Sequence, residues 1–176
     1  MTYKNVILIP AYGSAGLQPN LLLRERGLEL MSTLHNAAVF TDHVVGFVPS
    51  NRVDVFFPEE SWVYEPTIYL ADCLMKWLPK HGTSGTVIHL VAAPLHMPRC
   101  LQDLNLAGLS HKVVGDSFSN SVKPEVWHCP ESGHWQTRRL FRARVYEKVA
   151  LLGARYMPKC YSWLSYQRQY FCGRNT

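Results

Sequence analysis

The apolar positions of this chain change period along its length, and the changes mark its elements. Val6 to Pro10 is a compact apolar run ending in the glycine-containing turn AYGSAGLQPN, the layout of a short strand buried in a parallel sheet. From Leu21 to Leu34 the period lengthens, with Leu22, Leu23, Leu30 and Leu34 recurring between charges. That spacing predicts a helix entered through Pro19 and Asn20. Val44 to Val48 predicts a second strand ending at PSNR, and Val53 to Phe57 either a third strand or a loop before FPEES. A helical stripe of Ile68, Ala71, Leu74, Met75 and Leu78 follows, with Pro66 where a first helical turn tolerates proline. The linker HGTSG closes that helix, and TVIHLVAA, rich in β-branched residues, reads as the next strand. Met97, Leu101 and Leu104 share one face of a helix from Leu95 to Leu106, stopped by Gly108. HKVVGDS predicts another strand, residues 118–133 a long loop, and Trp135 to Tyr156 a long helix with Phe141, Val145, Val149 and Leu152 on its core side. The aromatic segment YSWLSYQRQYF follows.

Strands alternating with helices predict an α/β fold, a three-layer Rossmann-like parallel sheet with helices on both faces, because right-handed crossovers place helices there. A chain of 176 residues fits one domain. Residues 1–158 are expected to form it, and residues 159–176 an aromatic C-terminal tail packing on it or on a partner. With 47% hydrophobic and 18% charged residues, disorder and fibrous repeats are excluded. No apolar run approaches the roughly 20 residues that span a bilayer and no signal-peptide layout is present, so a soluble, cytoplasmic protein is expected. The five cysteines are odd in number and form neither a C-x-x-C pair nor a zinc pattern, which predicts reduced thiols and no metal site.

A formal charge of +5 raises the question of an anionic partner. Much of it lies in QTRRLFRARVYEK, which holds Arg138, Arg139, Arg142, Arg144 and Lys148. A core helix with a solvated basic face is favoured there over a nucleic-acid helix.

In parallel sheets ligands sit beyond the carboxyl ends of strands, where the strand order reverses. AYGSAGLQPN, PSNR and AAPLHMPR should meet at that edge. Gly13 and Gly16, flanking Ser14, let backbone approach a ligand, and the helix after them offers unpaired N–H groups to an anion. Neither G-x-G-x-x-G nor a P-loop lysine is present, so no cofactor is specified. His96 and Arg99 stand one turn apart on one face of their helix. A guanidinium forks onto carboxylate or phosphate, and an imidazole shuttles protons near neutral pH. Asp103 offers the plainer alternative of a surface pair with Arg99. Glu59 and Glu60 precede the Pro66 helix, where the two carboxylates could bind a metal, one could serve as a general base, or both simply face water as sequence neighbours usually do. Glu147 falls with Leu140, Ala143 and Ala150 on a mostly apolar side and so needs a partner, Arg26 or Arg99. Ser50 lacks a G-x-S-x-G elbow. His89 reads as a core histidine, and His128, Cys129 and His134 make no zinc set.

The segment VIHLVAAPLHMPRCLQDLNLAG resembles the strand and H-x-x-R helix of the YdcF, SanA and ElyC-like bacterial domain of unknown function. VILIPAYGS is similar to that family's first strand and glycine turn, LLLRERGLELM to its L-x-x-R helix with Arg26, and VYEKVALLGARY to its late helix with Glu147. Two motifs depart from the family's pattern. PSNR stands where an S-G-G turn is usual, keeping Ser50, and of the Glu and T-x-E-N motif Glu60 and Thr67 survive while Tyr69 and Leu70 replace the last two polar residues. Many relatives carry a membrane anchor and serve envelope upkeep; this chain shows no such segment, and that role is not expected of it. The resemblance implies a Rossmann-like fold with a polar pocket at the strand ends for a nucleotide-like or other phosphate-bearing small anion. His96 and Glu60 would be its catalytic groups, with hydrolysis of the ligand as one outcome. Gly13, Ser14, Gly16, Arg26, Ser50, Thr67, Arg99 and Glu147 would bind the ligand or support the pocket. The alternative is a non-catalytic protein that engages a macromolecule, or a second copy of itself, through the basic helix or the aromatic tail.

Overall fold

A computed structural model describes residues 2–13, 16–47, 54–57, 67–115, 124–128, 130–132 and 137–172. Its sheet has five strands, β1 (Tyr3–Ile9), β2 (Ala37–Thr41), β3 (Val55–Phe56), β4 (Gly82–Leu90) and β5 (Val113–Gly115). They run in the order β3-β2-β1-β4-β5, and every pairing is parallel. The helices are α1 (Gln18–Thr33), α2 (Thr67–His81), α3 (Met97–Leu106), α4 (Leu140–Tyr156) and α5 (Pro158–Cys172).

β1 shows why the fold has three layers. Its four apolar residues Val6 to Ile9 are fully buried, and the two-residue period sends them to opposite faces. Val6 and Leu8 join a core with Leu70 and Leu74 of α2 and Leu104 of α3, whereas Ile7 and Ile9 pack with Leu23 of α1, Val39 and Trp127. Each such side chain stabilises the fold by about 1.5–3 kcal/mol. The chain leaves β1 for β2 in one direction and returns across β1 to β4 in the other, so right-handed crossovers place α1 and α2 on opposite faces. α1 lies close on the sheet because Gly27 has no side chain; a Cβ there would stand 2.5 Å from Ile9 Cδ1 and 2.9 Å from Phe47 Cζ.

Several elements depart from the apolar pattern. The second strand is AAVFT rather than Val44 to Val48; it pairs with Asn5 to Ile9 of β1. His43–Val45 instead forms a 3-10 turn capped by Asp42, whose Oδ1 accepts from Val44 N. HGTSG is no linker, since β4 starts at Gly82 and Thr86 Oγ1 ties it to β1 by donating to Tyr3 O at 2.8 Å. On α3 the buried residues are Arg99, Cys100, Asp103 and Leu104, while Leu101 is exposed. The stripe expected in the core on α4, namely Phe141, Val145, Val149 and Leu152, faces solvent, and the helix buries Ala143, Glu147 and Ala154. The small inward residues let α4 approach α3 closely, and α3 already fills the space that large side chains would need. Within the expected long loop, Pro124–Trp127 is a 3-10 turn that plants Trp127 in the α1-side core. The aromatic tail is helical, and its Tyr161 packs with Ala154 and Ile68. Among the described residues no helix is long and apolar enough to cross a membrane.

Candidate functional site

The strand order reverses beside β1, so the carboxyl ends of β1 and β4 sit side by side with chain departing to opposite faces. Beyond β4, Ala92 and Ala93 are buried, and Pro94 to His96 turn directly into α3. His96 N donates to Ala93 O at 2.9 Å, which aims the imidazole inward at the start of the helix.

Three further elements converge on that ring. Thr67, the first residue of α2, places Oγ1 3.1 Å from His96 Nε2. Glu147 of α4 places Oε1 3.0 Å from His96 Nδ1. Arg99, one turn along α3, donates from Nε to Glu147 Oε2 at 2.7 Å and from Nη2 to Oε1 at 3.4 Å, while Nη1 reaches the Tyr161 hydroxyl of α5 at 3.5 Å. Arg99 and Glu147 are only 5% and 7% exposed, so this ion pair works at low dielectric with little competition from water. The Tyr12 ring, at the end of β1, lies 5.6 Å from the imidazole.

Arg99 Nη2 also stands 2.8 Å from His96 Nδ1. A guanidinium only donates and a carboxylate only accepts, so Nδ1 satisfies one of them at a time. With its proton on Nδ1 the ring donates to Glu147 and offers Nε2 to the Thr67 hydroxyl. With the proton on Nε2 the ring donates to Thr67 Oγ1 and accepts from Arg99. The site therefore holds one proton between two satisfied tautomers.

Burial and the adjacent Arg99 charge push the His96 pKa down, against the pull of Glu147, which keeps the ring neutral near pH 7. Burial alone would raise the Glu147 pKa. The nearby Arg99 charge and the hydrogen bonds from His96 and Arg99 outweigh it and hold the carboxylate well below its ordinary value. Cys100 Sγ lies 3.8 Å from Thr67 Oγ1, but burial raises its pKa well above the ordinary value, so it stays a thiol and not a nucleophile. Asp103 is wholly buried rather than a surface partner of Arg99, whose Nη1 is 3.9 Å away. Burial drives its pKa up to about 6 against Arg99 and the Tyr161 hydroxyl, and neither of its oxygens accepts a well-formed hydrogen bond.

Of the expected site residues, the structure brings together Thr67, His96, Arg99 and Glu147. The partner of Glu147 is Arg99, whereas Arg26 donates to Glu29 on its own helix at 2.7 Å. Gly13 and Gly16 take left-handed φ values of 87° and 72°, conformations that glycine adopts freely. Gly13 abuts the hydroxyls of Ser132 and Thr137, and a Cβ at Gly16 would meet nothing within 4 Å among the described residues. Ser14, Ser50 and Glu60 lie outside the described residues, as do Glu59, Cys129 and His134. His89 pairs with Asn5 Oδ1 at 3.1 Å inside the sheet. Tyr12, Tyr161 and the burial of Asp103 had no signal in residue spacing. Among the described residues no group of His, Cys, Asp or Glu could hold a metal ion. A cavity of about 350 Å³ opens at the opposite, amino-terminal edge of the sheet, lined by Met75, Leu78, Gly82 and Leu109, away from this cluster.

Fold and site together define a Rossmann-like α/β protein with a buried hydroxyl, imidazole and ion pair at the point where the strand order reverses. No family model matches the chain, and no curated protein or solved structure matches it either.

Proposed function

We propose that this is a divergent YdcF-like protein of the cytoplasm that binds a small anionic ligand, nucleotide-like or otherwise phosphate-bearing, beyond β1 and β4 and hydrolyses it. The observation that carries this reading is the sequence of contacts from Thr67 Oγ1 to His96 Nε2 at 3.1 Å and from His96 Nδ1 to Glu147 Oε1 at 3.0 Å. A hydroxyl, a base and an orienting carboxylate in that order are the parts of an activated nucleophile. His96 takes the proton from a water held by the Thr67 hydroxyl as the water oxygen attacks, and returns it to the leaving oxygen as the bond from that oxygen to the transferred group breaks. Glu147 stays ionised and stabilises the transient imidazolium, and Arg99 holds Glu147 in place. The left-handed turn at Gly13 and Gly16 and the first turns of α1 and α2 supply N–H groups for the anion. The H-x-x-R spacing of His96 and Arg99, and the meeting of both with Glu147, agree with the family resemblance.

A second reading is favoured by the burial of all four side chains: the network clamps α2, α3 and α4 together, and the chain binds its ligand without turnover. The two separate on purified protein assayed with p-nitrophenyl phosphate and a nucleotide panel, beside native mass spectrometry for a co-purified anion. Hydrolysis that falls by about 10²–10⁴ in His96→Ala is the expected result. Turnover equal to wild type in that variant sinks the role of His96, and a retained anion with no turnover selects the second reading.

A further inference from the structure

Charge along this chain is divided unevenly. Residues 138–176 hold nine Lys and Arg against one acid, a net +8, while residues 1–137 hold nine against twelve acids, a net −3. The single acid of the basic segment, Glu147, is buried. The same segment exposes large apolar side chains: Phe141, Val145, Val149, Leu152 and Tyr156 all face solvent, Phe141 at 77% and Val149 at 64%. At about 100° per residue these five positions fall within roughly 80° of arc, a continuous stripe from the first turn of α4 to its last. Arg144, Lys148 and Arg155 border the stripe on one side and Arg142 on the other, all exposed. α5 adds exposed Trp163 and Leu164.

We propose that this face of α4 docks on an anionic lipid surface. Each feature meets a matching layer there: Phe141, Val149 and Leu152 enter the acyl boundary, the cations meet headgroup phosphates, and Tyr156 sits at the interface where amphipathic rings belong. A second copy fits poorly, because two such faces would set cation rows against each other with no exposed acid on α4 to pair them. Nucleic acid fits poorly too, because phosphates reached from both flanks would lie across five large apolar groups. Glu147 points away from the stripe on the same helix, so docking leaves the buried cluster facing inward. The proposal does not depend on the reading of that cluster.

The test is co-sedimentation with phosphatidylcholine vesicles with and without phosphatidylglycerol, on the full chain. Binding is expected only to the anionic vesicles, weakening as salt rises. Lys148→Gln and Arg144→Gln should each weaken it about fivefold. Phe141→Ser, Val149→Ser and Leu152→Ser combined should weaken it by roughly tenfold or more, with an unchanged far-ultraviolet spectrum because these residues are exposed. Equal binding to both vesicle types, binding to neither, or binding indifferent to the serine substitutions overturns the proposal. So does a concentration-dependent dimer in sedimentation analysis that the serine substitutions abolish, or retention of nucleic acid that the glutamine but not the serine substitutions weaken.

Discussion

Glu147→Gln tests how the buried cluster is held together. The substitution keeps the shape of the side chain but leaves Arg99, 5% exposed, with the more distant Asp103, 3.9 Å from Nη1, as its counter-charge. The charge and hydrogen bonds of Arg99 help to hold the Glu147 pKa well below 4.5. Breaking a buried ion pair on one side costs about 3–5 kcal/mol, and this sets the expected loss. The sign with pH follows from the direction of the shift. A carboxylate whose folded pKa is depressed contributes stability that is fully present above its unfolded pKa and lost as pH falls towards the folded one. The gap between wild type and Glu147→Gln should therefore be about 3–5 kcal/mol near pH 7 and shrink as pH falls below 4.5. His96, whose depressed pKa Glu147 partly restores, loses more stability below 6.5 in the variant than in wild type, so the comparison is made in a His96→Asn background. Urea unfolding monitored by circular dichroism supplies it, and Arg99→Met alone and combined with Glu147→Gln completes a cycle in which the double variant is expected to recover part of the loss. A loss at neutral pH below about 1 kcal/mol, or a gap that does not shrink in acid, refutes the reasoning.

Thr67→Val removes the hydroxyl facing His96 Nε2 and keeps the volume, so it should cost about 1–3 kcal/mol and shift the imidazole tautomer seen by nitrogen NMR; an unchanged tautomer would show that the contact is idle. Gly27→Leu drives a side chain into Ile9 and Phe47 and should cost about 1–3 kcal/mol in a thermal melt, and a neutral result would mean that α1 packs elsewhere. Asp42 is held up at about 6 by burial, despite the backbone N–H groups of Ala11, Val44 and Val45. Its ionisation weighs against folding, so wild-type stability should fall relative to Asp42→Asn as pH rises from 3.8 to about 6, and parallel curves would contradict the assignment.

Residues that carry their own signal were legible in the sequence. Val6 to Ile9 read as a buried strand because apolar side chains on both faces leave no alternation to obscure. His96 and Arg99 fell on one face by spacing, and Glu147 stood out as an acid on an apolar side. Which arginine it meets was not legible, because that depends on α4 packing against α3, a contact between segments with no shared pattern. β2 was misplaced because Ala37 and Ala38 contribute little apolarity, while VVGFV nearby is denser and yet turns at Gly46, where φ is 77°. The start of β4 was hidden because Gly, Thr and Ser look like a linker until Thr86 finds the Tyr3 carbonyl. The largest inversion is α4. Its period gave the stripe correctly but not which side faces the protein, because α3 admits alanines and a paired glutamate and excludes Phe141 and Val149.

The central place of β1 bears on how the chain comes to fold. One neighbour, β2, follows after a single helix, but the other pairs Val6 with Ile88 and Leu8 with Leu90, more than eighty residues further on. Closing so long a loop is slow, because its entropy is lost before the contacts that repay it form. During synthesis a length of chain ending short of Leu90 leaves one edge of β1 open, and one ending before α2 also leaves Val6 and Leu8 without the helix that covers them. Such an edge invites pairing with other chains. Chaperone contacts and aggregation should therefore concentrate on the interval before β4 is complete and decline once Ile88 and Leu90 have taken their places beside β1.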